Sequence, residues 1–321
     1  KAAPAHPAFA TDHRSFIIMP IPAVPAVAEE HPMPHSAARS KAVLVTGCST
    51  GIGKAIAARL AGAGWTVYAT ARKPETLEDL KASGCRTLAL DVNDEASMQA
   101  AVSAVEDAHG AVGVLINNAG YSQSGAVESV PLSRVRAQFE TNVFGLIRMC
   151  QLVLPGMRRQ GWGRIVNMGS MGGKLTFPGG GIYHASKYAV EALSDALRFE
   201  VRGFGVDVVL IQPGLIRSRF SATAGVAIDA VQADAGPYRE FNTAVAKASR
   251  DVYETGLLAR LGGEPERVAA TIEKVLRSAR PKARYAVTPS ARLMMTQRAL
   301  MGDGMWDRFL RSNFPSPGAG S

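Results

Sequence analysis

From Lys41 onward, short apolar runs alternate with longer stretches in which apolar residues recur every three or four positions. The runs are residues 42–46, 65–70, 87–90, 112–116, 164–168 and 206–211. Each spans four to six residues, and none shows the strict alternation of a half-exposed strand. A strand reads this way when both its faces are buried, as in a parallel sheet with helices on either side. The intervening stretches of ten to twenty residues supply those helices. The pattern predicts an α/β protein with a doubly wound parallel sheet of about seven strands, whose ligands sit at the strands' carboxyl ends.

Residues 1–40 break the rhythm: they are proline-rich, hold four of the six histidines and keep no period. Such a segment buries too little apolar surface to offset its ordering entropy, so a disordered leader is predicted. FIIMPIPAVPAVA ends like a signal-peptide cleavage site, but three prolines interrupt it and Asp12 sits where a basic region belongs. His31 and His35 form a lone pair in that tail, which more often binds nothing specific than a metal. Residues 41–290 then read as one domain. Within it the Ala-rich insert 217–263, with Phe220, Tyr238, Phe241 and Tyr253, reads as a lid over substrate. Residues 291–321 form an amphipathic basic extension.

Composition narrows the class. The 321 residues are 47% hydrophobic and 20% charged, a globular balance. No apolar run reaches the length of a membrane span. Cys48, Cys85 and Cys150 are odd in number and widely separated, which argues for a reducing, cytoplasmic compartment. The net charge is +9, and residues 280–311 carry seven Lys or Arg against Asp303 and Asp307. Those cations are not interleaved with aromatics, so no nucleic-acid partner is expected. Beside them Leu293, Met294, Leu300, Met301, Met305, Trp306, Phe309 and Leu310 recur at helical spacing. That stripe fits packing against the body or a second subunit better than a membrane surface.

The chemistry begins where the first strand runs into TGCSTGIG. Gly47, Gly51 and Gly53 let the backbone turn sharply and approach a diphosphate, while the amino end of the next helix offers N–H donors to the anion. The spacing G-x-x-x-G-x-G after a buried strand resembles the cofactor loop of the short-chain dehydrogenase/reductase family. The resemblance implies a Rossmann-type doubly wound sheet and a nicotinamide cofactor held by Gly47, Ser49, Thr50, Gly51, Ile52 and Gly53. At the end of the second strand, VYATARK carries Arg72 and Lys73 with no acid before Glu75. Cations there suit a 2′-phosphate where a carboxylate would repel it, so NADP(H) is predicted over NAD(H).

Further marks follow in the family's order. The resemblance sets Asp91 and Val92 against the adenine, although DVNDEASM also reads as a helix cap. Asn118, Ala119 and Gly120, in NNAG after the fourth strand, would pass beside a ribose. Asn142 would kink its helix, hold a water and relay protons to Lys187. Ser170 would donate to the substrate oxygen. Pro213, Gly214, Ile216 and Ser218 would meet the nicotinamide end.

Tyr183 and Lys187 carry an argument of their own, because four residues make one helical turn. A free phenol, with a pKa of about 10, is a poor base near neutrality, and a cation nearby favours its phenolate. Tyr183 is then the acid in reduction and the base in oxidation. His184, beside it in sequence, points about 100° away and reads as structural or substrate-side.

Loops at 121–124, 171–178 and 215–220 are the candidate substrate walls, and with the lid they suggest a hydrophobic ketone, aldehyde or alcohol. The loop and VYATAR are similar to hydroxysteroid- and retinol-type members. A 3-oxoacyl-carrier-protein reductase and a non-catalytic NADP(H)-sensing protein stand as alternatives. The resemblance also implies a homodimer or homotetramer, paired through the helices starting near Arg134 and Tyr183.

Overall fold

The computed structural model describes residues 39–218 and 236–317. The predicted leader, apart from Arg39 and Ser40, and part of the predicted lid, 219–235, lie outside the described residues. Seven parallel strands form one sheet in the order β3-β2-β1-β4-β5-β6-β7. They are β1 (Val43–Val45), β2 (Val67–Ala71), β3 (Arg86–Ala89), β4 (Val114–Asn117), β5 (Gly163–Met168), β6 (Val206–Gln212) and β7 (Arg284–Ala286). Every predicted run overlaps a strand, with ends that differ by up to two residues. The seventh, β7, is a three-residue edge strand with each residue half-buried, so it carries no apolar run to mark it.

The helices are α1 (Gly51–Gly62), α2 (Glu78–Ala82), α3 (Glu95–His109), α4 (Leu132–Phe139), α5 (Gly145–Arg159) and α6 (Gly181–Val201). Then come α7 (Arg239–Glu254), α8 (Gly256–Arg260), α9 (Pro265–Arg277), α10 (Pro289–Leu300) and α11 (Asp303–Asn313). The central strand explains why the runs are unbroken. Val43 and Val45 face one core, with Ile56 and Leu60 of α1 and Ile272 of α9. Leu44 faces the other, with Val102 of α3, Met149 and Val153 of α5 and Val190 of α6. Successive side chains thus enter two apolar layers, and a polar residue on either side would need a buried partner.

Chain order reverses between β1 and β4, and the strand ends diverge there into a crevice. Two additions cover it. The described part of the insert is mainly α7 and α8. Asn242 of α7 accepts a hydrogen bond from the Ala126 amide (3.0 Å), and Tyr238 donates to Glu128 (2.7 Å). These fasten α7 to the loop after β4. The C-terminal helices close the other side through Met294 and Trp306, packed on the buried Leu175. Among the described residues no helix is long and apolar enough to cross a membrane.

Candidate active site

The first turn of the crevice is built by backbone. Asn118 Nδ2 donates to the carbonyl oxygens of Thr46 (2.9 Å) and Gly47 (3.0 Å). In return Thr46 Oγ1 accepts from the amides of Asn118 and Ala119, both at 3.0 Å. The ends of β1 and β4 are stapled together in this way. A Cβ on Gly53 would collide with the Gly47 carbonyl oxygen and the Asn118 amide, so only glycine fits. Gly47 also takes φ +73°, the left-handed region that glycine tolerates. What remains open is the N-terminus of α1, walled by Ser49, Thr50, Gly51, Ile52 and Gly53. Bare backbone at a helix N-terminus fits a diphosphate.

Arg72, exposed just past β2, reaches the same cleft, while Lys73 does not. Lys73 precedes the short turn Pro74–Leu77, where its carbonyl accepts from Thr76 Oγ1 at 2.7 Å. Asp91 and Val92 line the cleft. The Asp91 carboxylate also accepts from the Asn93 amide (3.0 Å), so it shapes its own turn, and the cap of α3 is Asp94 instead. Ala119, Gly120, Pro213, Gly214, Ile216 and Ser218 complete that side.

Three side chains meet on the opposite wall. Ser170 ends the segment after β5, and its Oγ accepts from the Gly172 amide at 3.0 Å. The same hydroxyl hydrogen-bonds the Tyr183 phenol. Lys187 is buried, its Nζ 5.8 Å from the Tyr183 ring centroid and donating to the Met168 carbonyl at 2.8 Å. Burial lowers the Lys187 pKa from 10.5 to about 8.

The expected depression of Tyr183 is not what this arrangement produces. Burial pushes its phenol above the usual 10, the Ser170 hydrogen bond only partly opposes this, and Tyr253 adds to the rise. The reason is desolvation: a phenolate placed here loses more hydration than one hydroxyl returns.

Asn142 lies in a π-helical turn, Glu140–Phe144, between α4 and α5. The extra residue in that turn bends the helix and frees the side chain. Its Nδ2 donates to the Tyr121 carbonyl (3.0 Å) and to Ser186 Oγ (3.1 Å), and its Oδ1 accepts from the Tyr121 amide (3.1 Å). Ser186 Oγ in turn donates to the Tyr183 carbonyl at 2.7 Å. Asn142 therefore ties the loop after β4 to the helix that carries Tyr183 and Lys187, with no direct bond to Lys187.

With this geometry in place the relatives can be compared. Residues 41–229 match the short chain dehydrogenase family, more than half of the chain. The chain belongs to that family. It is 33% identical over 270 residues to the 3-ketodihydrosphingosine reductase of Bacteroides thetaiotaomicron, covering 84% of this chain and 96% of that one. To the NADPH-dependent 3-dehydrocapnine reductase of Ornithobacterium rhinotracheale it is 34% identical over 276 residues, covering 83% and 94%. A solved short-chain dehydrogenase from Streptomyces avermitilis matches with a TM-score of 0.66 and 33% identity, over 86% of this chain and 99% of that one. This short-chain dehydrogenase is accordingly an oxidoreductase, which removes the non-catalytic alternative.

Other parts of the dehydrogenase's site carry no signal in isolation. His184 Nδ1 lies 3.0 Å from the Gly172 carbonyl, and burial pulls its pKa from 6.5 to about 4. It is a neutral donor that braces the Ser170 turn. Asn117 Nδ2 donates to Asn167 Oδ1 (3.0 Å), and Asn167 Nδ2 to Ser194 Oγ (3.0 Å), a buried chain linking β4, β5 and α6. The cleft itself measures about 1020 Å³, and beyond Tyr183 it is walled by α7 and by Met294, Phe309 and Phe314. The C-terminal extension is thus part of the pocket. Its helical stripe could be read from sequence, but not the surface it would cover.

Proposed function

We propose that this dehydrogenase uses NADP(H) to interconvert a hydrophobic ketone or aldehyde with its alcohol. The observation that carries the reading is the meeting of Ser170, Tyr183 and Lys187 where a glycine-walled helix N-terminus adjoins an apolar wing. The donor set suits the cofactor: backbone at α1 for the diphosphate, exposed Arg72 for a 2′-phosphate, and the Ile216–Ser218 side for the nicotinamide. When bound, the nicotinamide supplies or accepts the hydride.

The chain's residues then manage one proton. Tyr183, held protonated by burial, donates to the substrate oxygen as charge develops on it. Ser170 hydrogen-bonds that oxygen and keeps the phenol aimed at it. Lys187 supplies positive charge beside the ring and would hold the nicotinamide ribose. Asn142 fixes the loop and helix that frame the oxygen.

The named substrates of the two relatives, 3-ketodihydrosphingosine and 3-dehydrocapnine, support a ketone, and the NADPH dependence of one supports the cofactor. The apolar wall of Phe309, Phe314 and Met294, closed over by α10 and α11, supports a hydrophobic substrate. Self-association through the helices starting near Arg134 and Tyr183 is supported by the exposed rings of Phe144, just after α4, and of Tyr188 and Phe199 on α6.

Carbonyl-dependent NADPH oxidation by Tyr183→Phe tests the reading. A loss of about 10²–10⁴-fold is expected from removing the positioned acid. Undiminished turnover sinks the catalytic assignment.

A further inference from the structure

The apolar wing of the cleft contains a polar feature that the proton chemistry does not use. Helix α7 turns Val245, Ala248, Ser249, Val252 and Tyr253 toward the cleft, at the three- and four-residue spacing of one helical face. Two of these carry hydroxyls, one turn apart. Neither hydroxyl makes a side-chain hydrogen bond among the described residues. Both residues are half-buried, in a place where an apolar side chain would pack as readily.

Two observations point these hydroxyls at a ligand near the reacting carbon. First, Tyr253 and Tyr183 wall the same cleft, and Tyr253 adds to the rise of the Tyr183 phenol, so its hydroxyl faces the space the acid faces. Second, burial pushes the Tyr253 phenol up to about 12, which keeps it a neutral donor and acceptor at any working pH. The charged residues among the described lining are Arg72, Asp91 and Lys187, all on the cofactor side or beneath the acid. A polar group of the substrate is therefore met on α7 by hydroxyls, not ions. Leaving such hydroxyls unpaired under bound substrate is costly, so a purely hydrocarbon neighbour is selected against.

We propose that Ser249 and Tyr253 form a second polar subsite, which takes a neutral hydroxyl or carbonyl carried on the substrate next to the reacting carbonyl. The inference rests on the carbonyl-reductase reading above and narrows its substrate class to ketones bearing a vicinal or near-vicinal oxygen. Tyr253 donates to that oxygen, and Ser249, one turn earlier, accepts from it when it is a hydroxyl. The apolar remainder of the substrate extends toward Phe309 and Phe314. No bond is made or broken at this subsite; it orients the carbonyl toward Ser170 and Tyr183.

The test compares an alkyl methyl ketone with the hydroxymethyl ketone of the same chain length, using the full-length enzyme and NADPH absorbance. The wild type is expected to favour the hydroxymethyl ketone in kcat/KM. Tyr253→Phe and Ser249→Ala should each lose about tenfold more on that substrate than on the methyl ketone, the size of one hydrogen bond. NADPH binding by fluorescence verifies that each variant is folded. Equal losses on both ketones, or an unchanged preference, overturn the subsite while leaving the reductase reading intact. A wild type that reduces neither ketone overturns the reductase reading, and the subsite with it.

Discussion

Lys187 Nζ donates a 2.8 Å hydrogen bond to the carbonyl oxygen of Met168, the last residue of β5. One bond thus clamps α6 to the central sheet and leaves an ammonium in a desolvated place, with its pKa lowered from 10.5 to about 8. A lysine depressed on folding binds its proton more tightly in the unfolded chain. Between about pH 8 and 10.5 the unfolded state therefore holds more protons, and this lysine's contribution to stability rises with pH by up to about 3 kcal/mol. Lys187→Met should remove that rise. Urea denaturation of both proteins at about pH 7.5 and about pH 9.5 measures it. The variant is also expected to lose carbonyl reduction, so stability and activity move in opposite directions.

His184 has the complementary acid-side behaviour. Buried against Gly172 with its pKa pulled from 6.5 to about 4, it must charge when the chain unfolds at mild acidity. Stability is then lost as pH falls from about 6.5 toward 4, by up to about 3 kcal/mol from this group. His184→Gln offers a neutral donor to the Gly172 carbonyl and should flatten the acid limb of a thermal-melting series. An unchanged slope would mean that the imidazole is already charged in the fold.

The sheet was legible because Val43, Leu44 and Val45 enter opposite cores in turn, which leaves an unbroken apolar run in the sequence. Strand β7 was not, because Arg284, Tyr285 and Ala286 sit at a half-exposed edge; Arg284 is fixed there by Glu191 of α6 at 3.1 Å. The glycine loop and the Ser170, Tyr183 and Lys187 set were legible since their spacings are local or follow strand ends. The acidity of Tyr183 was not. Spacing indicates that a lysine is one turn away, but says nothing of how much water either group loses. Arg72 and Lys73 look equivalent in the sequence, and of the two Arg72 is the one that walls the cleft. Tyr253 was legible only as one of the lid's aromatics and Ser249 not at all, because a helical stripe reads alike whether it faces a core or a cavity.

Arg72 is exposed, lines the cleft and makes no side-chain bond among the described residues, so its guanidinium is available to a phosphate. Arg72→Asp replaces an attracting charge by a repelling one. The ratio of kcat/KM with NADPH to that with NADH should fall by roughly 100-fold, with carbonyl KM little altered. Initial rates with both cofactors decide it, and an unshifted ratio would remove Arg72 from the 2′-phosphate site.

Trp306 governs how firmly α11 closes the cleft. It is 5% exposed, stacks near Phe177 (5.9 Å) and Phe309 (5.1 Å), and carries Arg298 over its ring at 5.6 Å. Phe177 belongs to the loop that follows Ser170, so one indole joins the C-terminal helix to that side of the cleft. Truncation to alanine removes a large buried aromatic, and such changes cost about 3–5 kcal/mol where the site cannot collapse. The sheet cores are separate clusters, so the loss should fall on α11 itself as local opening. Trp306→Ala is expected to raise KM for a hydrophobic ketone about tenfold while NADPH affinity, set on the far side of the crevice, shifts little. Hydrogen exchange confined to residues 303–313 would mark the opening. Global destabilisation with weakened NADPH binding would instead show that α11 supports the whole fold.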